Sequence, residues 1–484
     1  MSEAASKPGS AGVREGERVG RVVVVGGGLA GMACGVALQE AGARVTLIEA
    51  RQTLGGRAGS FEDVQSGETL DNCQHVLLGC CTNLLDLYRR MGVADKIRWE
   101  RTVHFMNERG DCFDLWGARG VPAPLHMGAA MAVFGALTLG ERVKVARAMM
   151  AMLRLGKEGR EALEGISFGQ WLRERGQTDA IVEKFYDPVL VSALNEHSRL
   201  ASAKYAIQVF QDAMLAHEQG YVMGLPACPL GELYKRLPVA DVRLGTRVEE
   251  ILFAGGAAGG GAGPARALGV KLRDGTRLDA EAVVLATNHH AVQRWVSAEL
   301  QAGDARFAGL ARLESVPILG VHLWFDRPVM AEPAVALIKG PLQWLFRKDE
   351  QGQVLHGVIS AAREWADIPK EEALRQFEVQ IRGLFSRARE AKLDRGVIVI
   401  EKRATFAPLP GTDVLRPMQG PGPDGIRGLY LAGDYTKTGW PATMEGAVRG
   451  GYLAAEAVLR DAGQAAAVVV RDLAVQWPAR AMGL

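Results

Sequence analysis

Three groups of residues in this 484-residue chain have the types and spacing for ligand chemistry. The first is Gly26-x-Gly28-x-x-Gly31, set between the β-branched run Val22-Val23-Val24-Val25 and a stretch of alanines and apolar residues at helical spacing. In that setting the first glycine makes a tight turn, the second lets backbone approach a pyrophosphate, and the third lets the helix close on the sheet. The phosphates then lie at the positive end of the helix, where unpaired N–H groups point outward. Glu49, at the end of the next strand-like run, is placed to accept hydrogen bonds from ribose hydroxyls. The second group is Leu54-Gly55-Gly56-Arg57, a flexible pair that can close on a ligand, followed by a guanidinium that can pair with pyrophosphate. The third lies far down the chain. Gly433-Asp434 ends a strand-like run, and Gly446-Ala447 opens a helix just beyond Gly439-Trp440-Pro441-Ala442-Thr443. A carboxylate there suits a ribityl hydroxyl, and a helix N-terminus aimed at the N1/O2 edge of an isoalloxazine stabilises an anionic reduced flavin. Phosphate and polyol elements at opposite ends of one chain imply a bipartite cofactor, which favours FAD over NAD.

The elements that must hold these groups are readable from periodicity. The valine run is too short for a helix and reads as a buried parallel strand, and Val45-Thr46-Leu47-Ile48-Glu49 as a second, so the first motif sits in one βαβ unit. Residues 84–91, 141–155 and 178–216 carry helical patterns and make the middle of the chain a helix-rich insertion. Strand signals return at 242–244, 248–253, 267–270 and 279–285, interrupted by a window of Gly and Ala from 254 to 263 that reads as a hairpin loop. Residues 317–362 alternate like a separate sheet, 370–391 like a long helix, and 429–434 like a strand and turn before a final helix over 444–459. The expected architecture is α/β: a Rossmann-like FAD-binding domain built from 21–82, 236–295 and 421–462, a helix-rich substrate region over 83–235, and a substrate sheet and helix over 296–420. A polar, disordered lead occupies 1–20 and a tail 463–484.

Composition narrows the classes. Lys+Arg 57 against Asp+Glu 55 leaves a formal charge of +2, too balanced for a nucleic-acid-binding surface. Six cysteines form no CxxC pair, so neither zinc nor a disulfide framework is expected, and a reducing compartment fits. The first twenty residues lack an apolar core and do not read as a secretory signal. Glycine is about 12% of the chain, against roughly 7% on average, as close backbone approaches to a cofactor require. His289-His290 suggests metal at first glance, but neighbours on an extended chain point to opposite faces, so no metal site is expected. Asn195-Glu196-His197 reads as a solvated polar face.

The segments GGGLAGMACGVALQEAGARVTLIEARQTLGGRAGSF and YLAGDYTKTGWPATMEGAVRGGYLAAEAV resemble the FAD-dependent amine oxidase and phytoene desaturase superfamily. A narrower resemblance rests on Leu70-Asp71-Asn72-Cys73-Gln74-His75-Val76-Leu77-Leu78-Gly79-Cys80, on Phe185-Tyr186-Asp187-Pro188 to Ala193-Leu194-Asn195, and on Leu244-Gly245-Thr246-Arg247-Val248. These are similar to the hydroxysqualene dehydroxylases of bacterial hopanoid biosynthesis. The resemblance implies FAD as cofactor and adds Leu29, Ala30, Ala50, Arg51, Val248 and Met444 to its binding residues. It also implies a triterpene substrate whose allylic hydroxyl leaves as water while reduced flavin gives up a hydride. The proton donor must be a side chain or an ordered water. His75 is the first candidate, since an imidazole near a flavin can hold a proton near neutrality, and Asp71 either orients it or acts itself. The family pattern has Gly where this chain has Cys73, and a left-handed backbone there would strain a cysteine.

A triterpene scarcely dissolves, so the resemblance also implies an apolar tunnel and contact with a membrane. Residues 128–140 are uncharged and too short to span, and Arg142, Lys144, Arg147, Arg154 and Lys157 follow. This is the pattern of a segment lying in the interface on the cytoplasmic face of the cell membrane. The same stripe also fits a core helix. The motifs leave open a carotenoid-type desaturase, an amine oxidase, or a non-enzymatic lipid carrier of the Rab GDP-dissociation inhibitor kind.

Overall fold

The computed structural model describes residues 20–255 and 265–484. The lead expected over 1–20 and the Gly/Ala loop expected over 254–263 therefore lie outside the described residues, apart from Gly20, Ala254 and Gly255.

The valine run forms β1 (Arg21–Val25), followed by α1 (Leu29–Glu40) and β2 (Arg44–Ile48). Three later strands complete a five-stranded sheet: β3 (Asp241–Arg243), β4 (Ala282–Leu285) and β5 (Leu429–Leu431). The order is β3-β2-β1-β4-β5 and every neighbour is parallel. A parallel sheet needs cover on both faces, and the valines divide accordingly. Val22 and Val24 pack with α1 and the C-terminal helix α2 (Met444–Asp461), whereas Val23 and Val25 pack against a three-stranded meander over Val248–Ala254, Arg266–Leu272 and Arg277–Asp279. Helix α1 is apolar nearly all round because the sheet and α2 enclose it. Close approach of the two helices depends on small residues: a Cβ on Gly451 would sit 2.2 Å from the Ala30 carbonyl oxygen.

A second sheet of seven strands runs in the order Leu393–Phe406, Ser315–Phe325, Val354–Ile359, Trp344–Arg347, Ala334–Leu337, Thr102–Met106 and Cys112–Trp116. Its neighbours are antiparallel except Ala334–Leu337 beside Thr102–Met106. Helix Lys370–Leu384 covers one face with Phe377 and Ile381. The other face turns Phe105, Leu115, Trp344, Phe346 and Val358 toward the helices Leu139–Glu161, Phe168–Glu174, Asp187–Leu194 and Ala203–Phe210, forming a second core. The stretch 83–235, expected to be helix-rich, thus also supplies two strands of this sheet, together with Ile97–Glu100 and Met223–Pro226 of a small three-stranded sheet. The alternation Val103/Phe105 and Phe113/Leu115 is the strand signal there, broken into runs of five residues each.

Candidate functional site

One cavity of about 560 Å³ runs between the two sheets. Its polar end is built by the turn after β1, the loop after β2, and the turn after β5. Gly26 takes φ +112, a conformation open to glycine, and holds the turn by donating its N–H to the Ile48 carbonyl. Gly28 caps α1, and an added Cβ there would meet nothing within 4 Å, so the backbone faces open space. Gly31 does the opposite: its Cβ would lie 1.9 Å from the Gly26 carbonyl oxygen, so helix and turn pack in contact. The first and third glycines thus have the turn and packing roles their spacing implies, and the second leaves the backbone open to the cavity. Gly55 and Gly56 are left-handed, at φ +106 and +58, and the Gly55 N–H donates to the Gly27 carbonyl, which lays the second loop over the first.

Glu49 lines the cavity with its carboxylate fixed by two backbone donors, the Gly27 N–H to Oε2 at 2.7 Å and the Arg51 N–H to Oε1 at 2.8 Å. Each oxygen keeps a lone pair for a ribose hydroxyl. Arg57 reaches across the fold to Asp434: Nη2 donates to Oδ1 at 2.7 Å and Nη1 to Oδ2 at 3.0 Å. This joins the βαβ unit to the C-terminal turn in a bidentate, charge-assisted pair. The N-terminus of α2 completes this end. Thr443 caps it by accepting from the Gly446 N–H, and Met444 and Ala447 line the cavity. Thr287 Oγ1, also on the lining, is buried without a hydrogen-bond partner.

Gly26, Gly28, Leu29, Ala30, Glu49, Arg51, Gly55, Gly56, Arg57, Gly433, Asp434, Met444, Ala447 and His75 all line this cavity. Five expected residues do not. Gly31 and Gly446 act through packing, the latter because a Cβ would lie 2.4 Å from the Pro441 carbonyl oxygen. Ala50 and Val248 flank the Glu49 loop, which the 245–246 backbone pairs through Gly245 N–H to Arg51 O and Thr246 N–H to Glu49 O. Asp71 is the correction with consequences: its carboxylate is consumed by Ser60 Oγ at 2.7 Å, the Leu230 N–H at 2.9 Å and Lys348 Nζ at 3.4 Å, away from the cavity. It does not touch His75 and ties the 69–71 strand to the 230 helix start instead.

His75 Nδ1 lies 2.9 Å from the Cys73 carbonyl, so that nitrogen carries the proton and Nε2 is left as an acceptor. Burial holds this imidazole below its ordinary value, which keeps it neutral. Cys73 does not adopt a left-handed backbone, since among the described non-glycine residues Asn195 and Ala361 are those with positive φ, and the strain expected of a cysteine there is absent. His289 and His290 begin a helical turn capped by Asn288, so their rings sit 4.0 Å apart and not on opposite faces. They are engaged by the Leu313 carbonyl and Ser315 Oγ. Asn195-Glu196, expected to be solvated, is a buried node: Asn195 bonds Val316 O, Thr405 Oγ1 and the Ala361 N–H, and Glu196 pairs with Arg363 at 2.6 Å. His104, Cys112 and Asp114 cluster on the strand face opposite Val103, Phe105 and Leu115, away from the cavity.

Beyond the cofactor elements the cavity becomes apolar, lined by Val76, Leu78, Phe105, Val189, Met214, Trp344 and Phe346. Among its polar lining residues, Gln208 and Asp212 were missed by sequence reasoning. Glu445 accepts from the Asn83 and Leu84 N–H groups and pairs with Arg449, joining α2 to helix Thr82–Arg90. The cap geometry and the buried polar node were invisible in local sequence because the partners lie hundreds of residues apart.

A parallel sheet with a glycine-turn helix, a glutamate at the end of the second strand and a remote acid and helix N-terminus facing the same space defines a dinucleotide-binding flavoprotein. The open backbone at Gly28 and the orphaned Thr287 hydroxyl fit a bound FAD, the first at the pyrophosphate turn and the second along the same wall. The match to flavin containing amine oxidoreductases extends over residues 29–459, and the chain belongs to that family. It is an FAD-dependent oxidoreductase. Among curated relatives, the 15-cis-phytoene desaturase of Capsicum annuum is 27% identical, covering 91% of this chain and 78% of that protein. The 15-cis-phytoene desaturase of Synechococcus elongatus is 24% identical, covering 91% and 96%. Among solved structures, an oxidoreductase from Methanosarcina mazei superposes with a TM-score of 0.67 at 16% identity over 89% of this chain and 98% of that one, which establishes the shared fold.

Proposed function

We propose that the protein reductively removes the hydroxyl of hydroxysqualene to give squalene. The observation that carries this reading is the cavity itself: cofactor elements at one end continue without a break into an apolar chamber suited to a long isoprenoid. The 70–80 segment, whose residues carry the resemblance to hydroxysqualene dehydroxylases, contributes Asn72, Cys73, Gln74, His75, Val76, Leu78 and Cys80 to its wall. FAD, when bound and reduced, would supply the hydride chemistry this reaction needs. The chain's own residues hold the substrate, exclude water and provide the proton that lets the hydroxyl leave. Neutral His75, with Nε2 free, is fitted to accept a hydrogen bond and orient the hydroxyl or the flavin. An amine substrate is disfavoured because Arg449 lies 4.9 Å over the Trp440 ring and occupies a face that would serve an ammonium.

The reading includes a membrane surface as partner. Leu125, Val133, Leu139 and Val143 are exposed along this stretch of chain, as are the basic Lys144 and Arg147, apolar and positive side chains of the kind that suit a membrane interface. Phe134, buried beneath the same stretch, packs 5.2 Å from Phe105 of the cavity wall. Among the described residues no helix is long and apolar enough to cross a membrane.

The desaturase relatives, alike over 91% of this chain, favour a second reading in which oxidised flavin takes hydride from a carotenoid precursor. Anaerobic mixing separates the two. Reduced protein should be reoxidised by hydroxysqualene with squalene as product, and oxidised protein should stay unbleached with phytoene. Bleaching by phytoene and no reaction with hydroxysqualene would replace the first reading by the second.

A further inference from the structure

The hydrogen bonds of His75 and Asp71 do not place either to give up a proton. With Nδ1–H given to the Cys73 carbonyl, the cavity-facing nitrogen of His75 offers a lone pair and no proton. Asp71 is spent on Ser60, Leu230 and Lys348. A third acid stands in the cavity wall. Asp212 lies in a π-helical turn, Gln211–Leu215, that continues helix Ala203–Phe210, and such turns recur at functional sites because they re-aim one side chain. Its side chain is 11% exposed, Oδ2 is buried with no hydrogen-bond partner, and Oδ1 stands 3.7 Å from Arg160 Nη1, beyond hydrogen-bond distance. Gln208, one turn earlier, donates Nε2 to the Gly439 carbonyl at 2.9 Å, and Trp440 follows in the wall. This helix face therefore abuts the segment that leads into the capped N-terminus of α2 at the cofactor end.

We propose that Asp212 is the acid that protonates the leaving hydroxyl, an assignment that rests on the dehydroxylase reading. The carboxyl proton passes to the hydroxyl oxygen as the carbon–oxygen bond breaks, water departs, and the allylic carbon receives a hydride, with its two electrons, from reduced FAD, which is thereby oxidised. The resulting carboxylate faces Arg160 and Lys157 of helix Leu139–Glu161 and is reprotonated from water before the next turnover. The surroundings shift this carboxyl toward the acid form. Burial raises the carboxyl above its ordinary range and Asp472 adds to this, against the pull of Arg160, Lys157 and Gln208; the Cys80 thiol faces the same carboxyl.

Two measurements test this on the FAD-loaded enzyme. Infrared spectra of the wild type at neutral pH should contain a protonated-carboxyl band that shifts in heavy water and is missing from Asp212→Asn; an ionised Asp212 overturns the proposal whatever the substrate. In anaerobic single turnover, Asp212→Asn should slow reoxidation by hydroxysqualene by about 100-fold with substrate binding retained, and Asp212→Glu should restore part of the rate. The wild-type rate should fall as pH rises through the Asp212 titration, and the Asn variant should lose that limb. Wild-type-like reoxidation by Asp212→Asn removes Asp212 from the chemistry while leaving the function standing. A wild type that hydroxysqualene never reoxidises refutes the function, and the assignment falls with it even if the infrared band is present.

Discussion

Arg57 and Asp434 are neighbours in space and 377 positions apart in sequence, which makes their pair a latch on the cofactor end of the cavity. A charged, bidentate hydrogen bond contributes about 1.5–3 kcal/mol, and removing one partner leaves the other underpaired. Asp434→Asn should therefore weaken FAD binding by about tenfold to a hundredfold, read as flavin passing into the filtrate on ultrafiltration. Full retention of flavin would show that the pair is incidental to the cofactor. That the glycines, Glu49, Arg57 and Asp434 lie at strand ends was legible in the sequence, whereas the pairing of Arg57 with Asp434 was not. Nor were the roles of Asp71 and Asp212, since a carboxylate's role is set by what surrounds it. Asp71 next to a histidine invites a catalytic reading, yet three distant donors absorb it. Asp212 looks like any polar position of a helix until the π turn and the absence of a partner for Oδ2 are seen.

At the scale of elements, the same contrast holds between pattern and partner. Strands β1 and β2 and helices α1 and α2 follow from continuous apolar runs, whereas Thr102–Met106 and Cys112–Trp116 disappear inside a helix-rich stretch because their partners come from residue 334 onward. The 128–157 segment tests how far periodicity carries. Its inward residues, Ala130, Phe134, Leu137, Val145, Ala148 and Met152, are core, as a buried stripe requires. Val133, Leu139 and Val143 are 68%, 75% and 53% exposed, which a core helix does not explain. The stripe is thus core on one face and exposed apolar surface on the other. Val133→Asp with Leu139→Asp should abolish cosedimentation with anionic vesicles and leave the melting temperature within a few degrees of wild type, because both side chains are already in water. Unchanged vesicle binding by the double variant would place any membrane contact elsewhere.

At the scale of the whole molecule, buried histidines make the fold sensitive to mild acid. His126 is fully buried against Tyr221 with both ring nitrogens unpartnered, and burial pushes it down to about 4. His289 is held at about 4 by burial and by His290 beside it, and His356, its ring centre 3.9 Å from that of His322, lies well below the ordinary value of 6.5. These three sit in different packing units, under the substrate helices, beside the nucleotide sheet and within the seven-stranded sheet, so they act on one cooperative structure from separate places. A histidine whose folded value is depressed binds its proton more readily when unfolded. Its contribution is complete above pH 6.5 and is lost as pH falls through the interval down to about 4. A difference of this size corresponds to about 3 kcal/mol for each of His126 and His289. Carboxylates held low by partners, such as Asp304 beside Arg306, lose their contribution only at still lower pH, so the two effects separate. The melting temperature should therefore drop between pH 6.5 and 4, and His126→Phe, which keeps the ring and discards the two orphaned nitrogens, should flatten part of that slope. If the variant retains the full wild-type slope, His126 is not charging on unfolding, and the acid sensitivity must come from the other buried histidines.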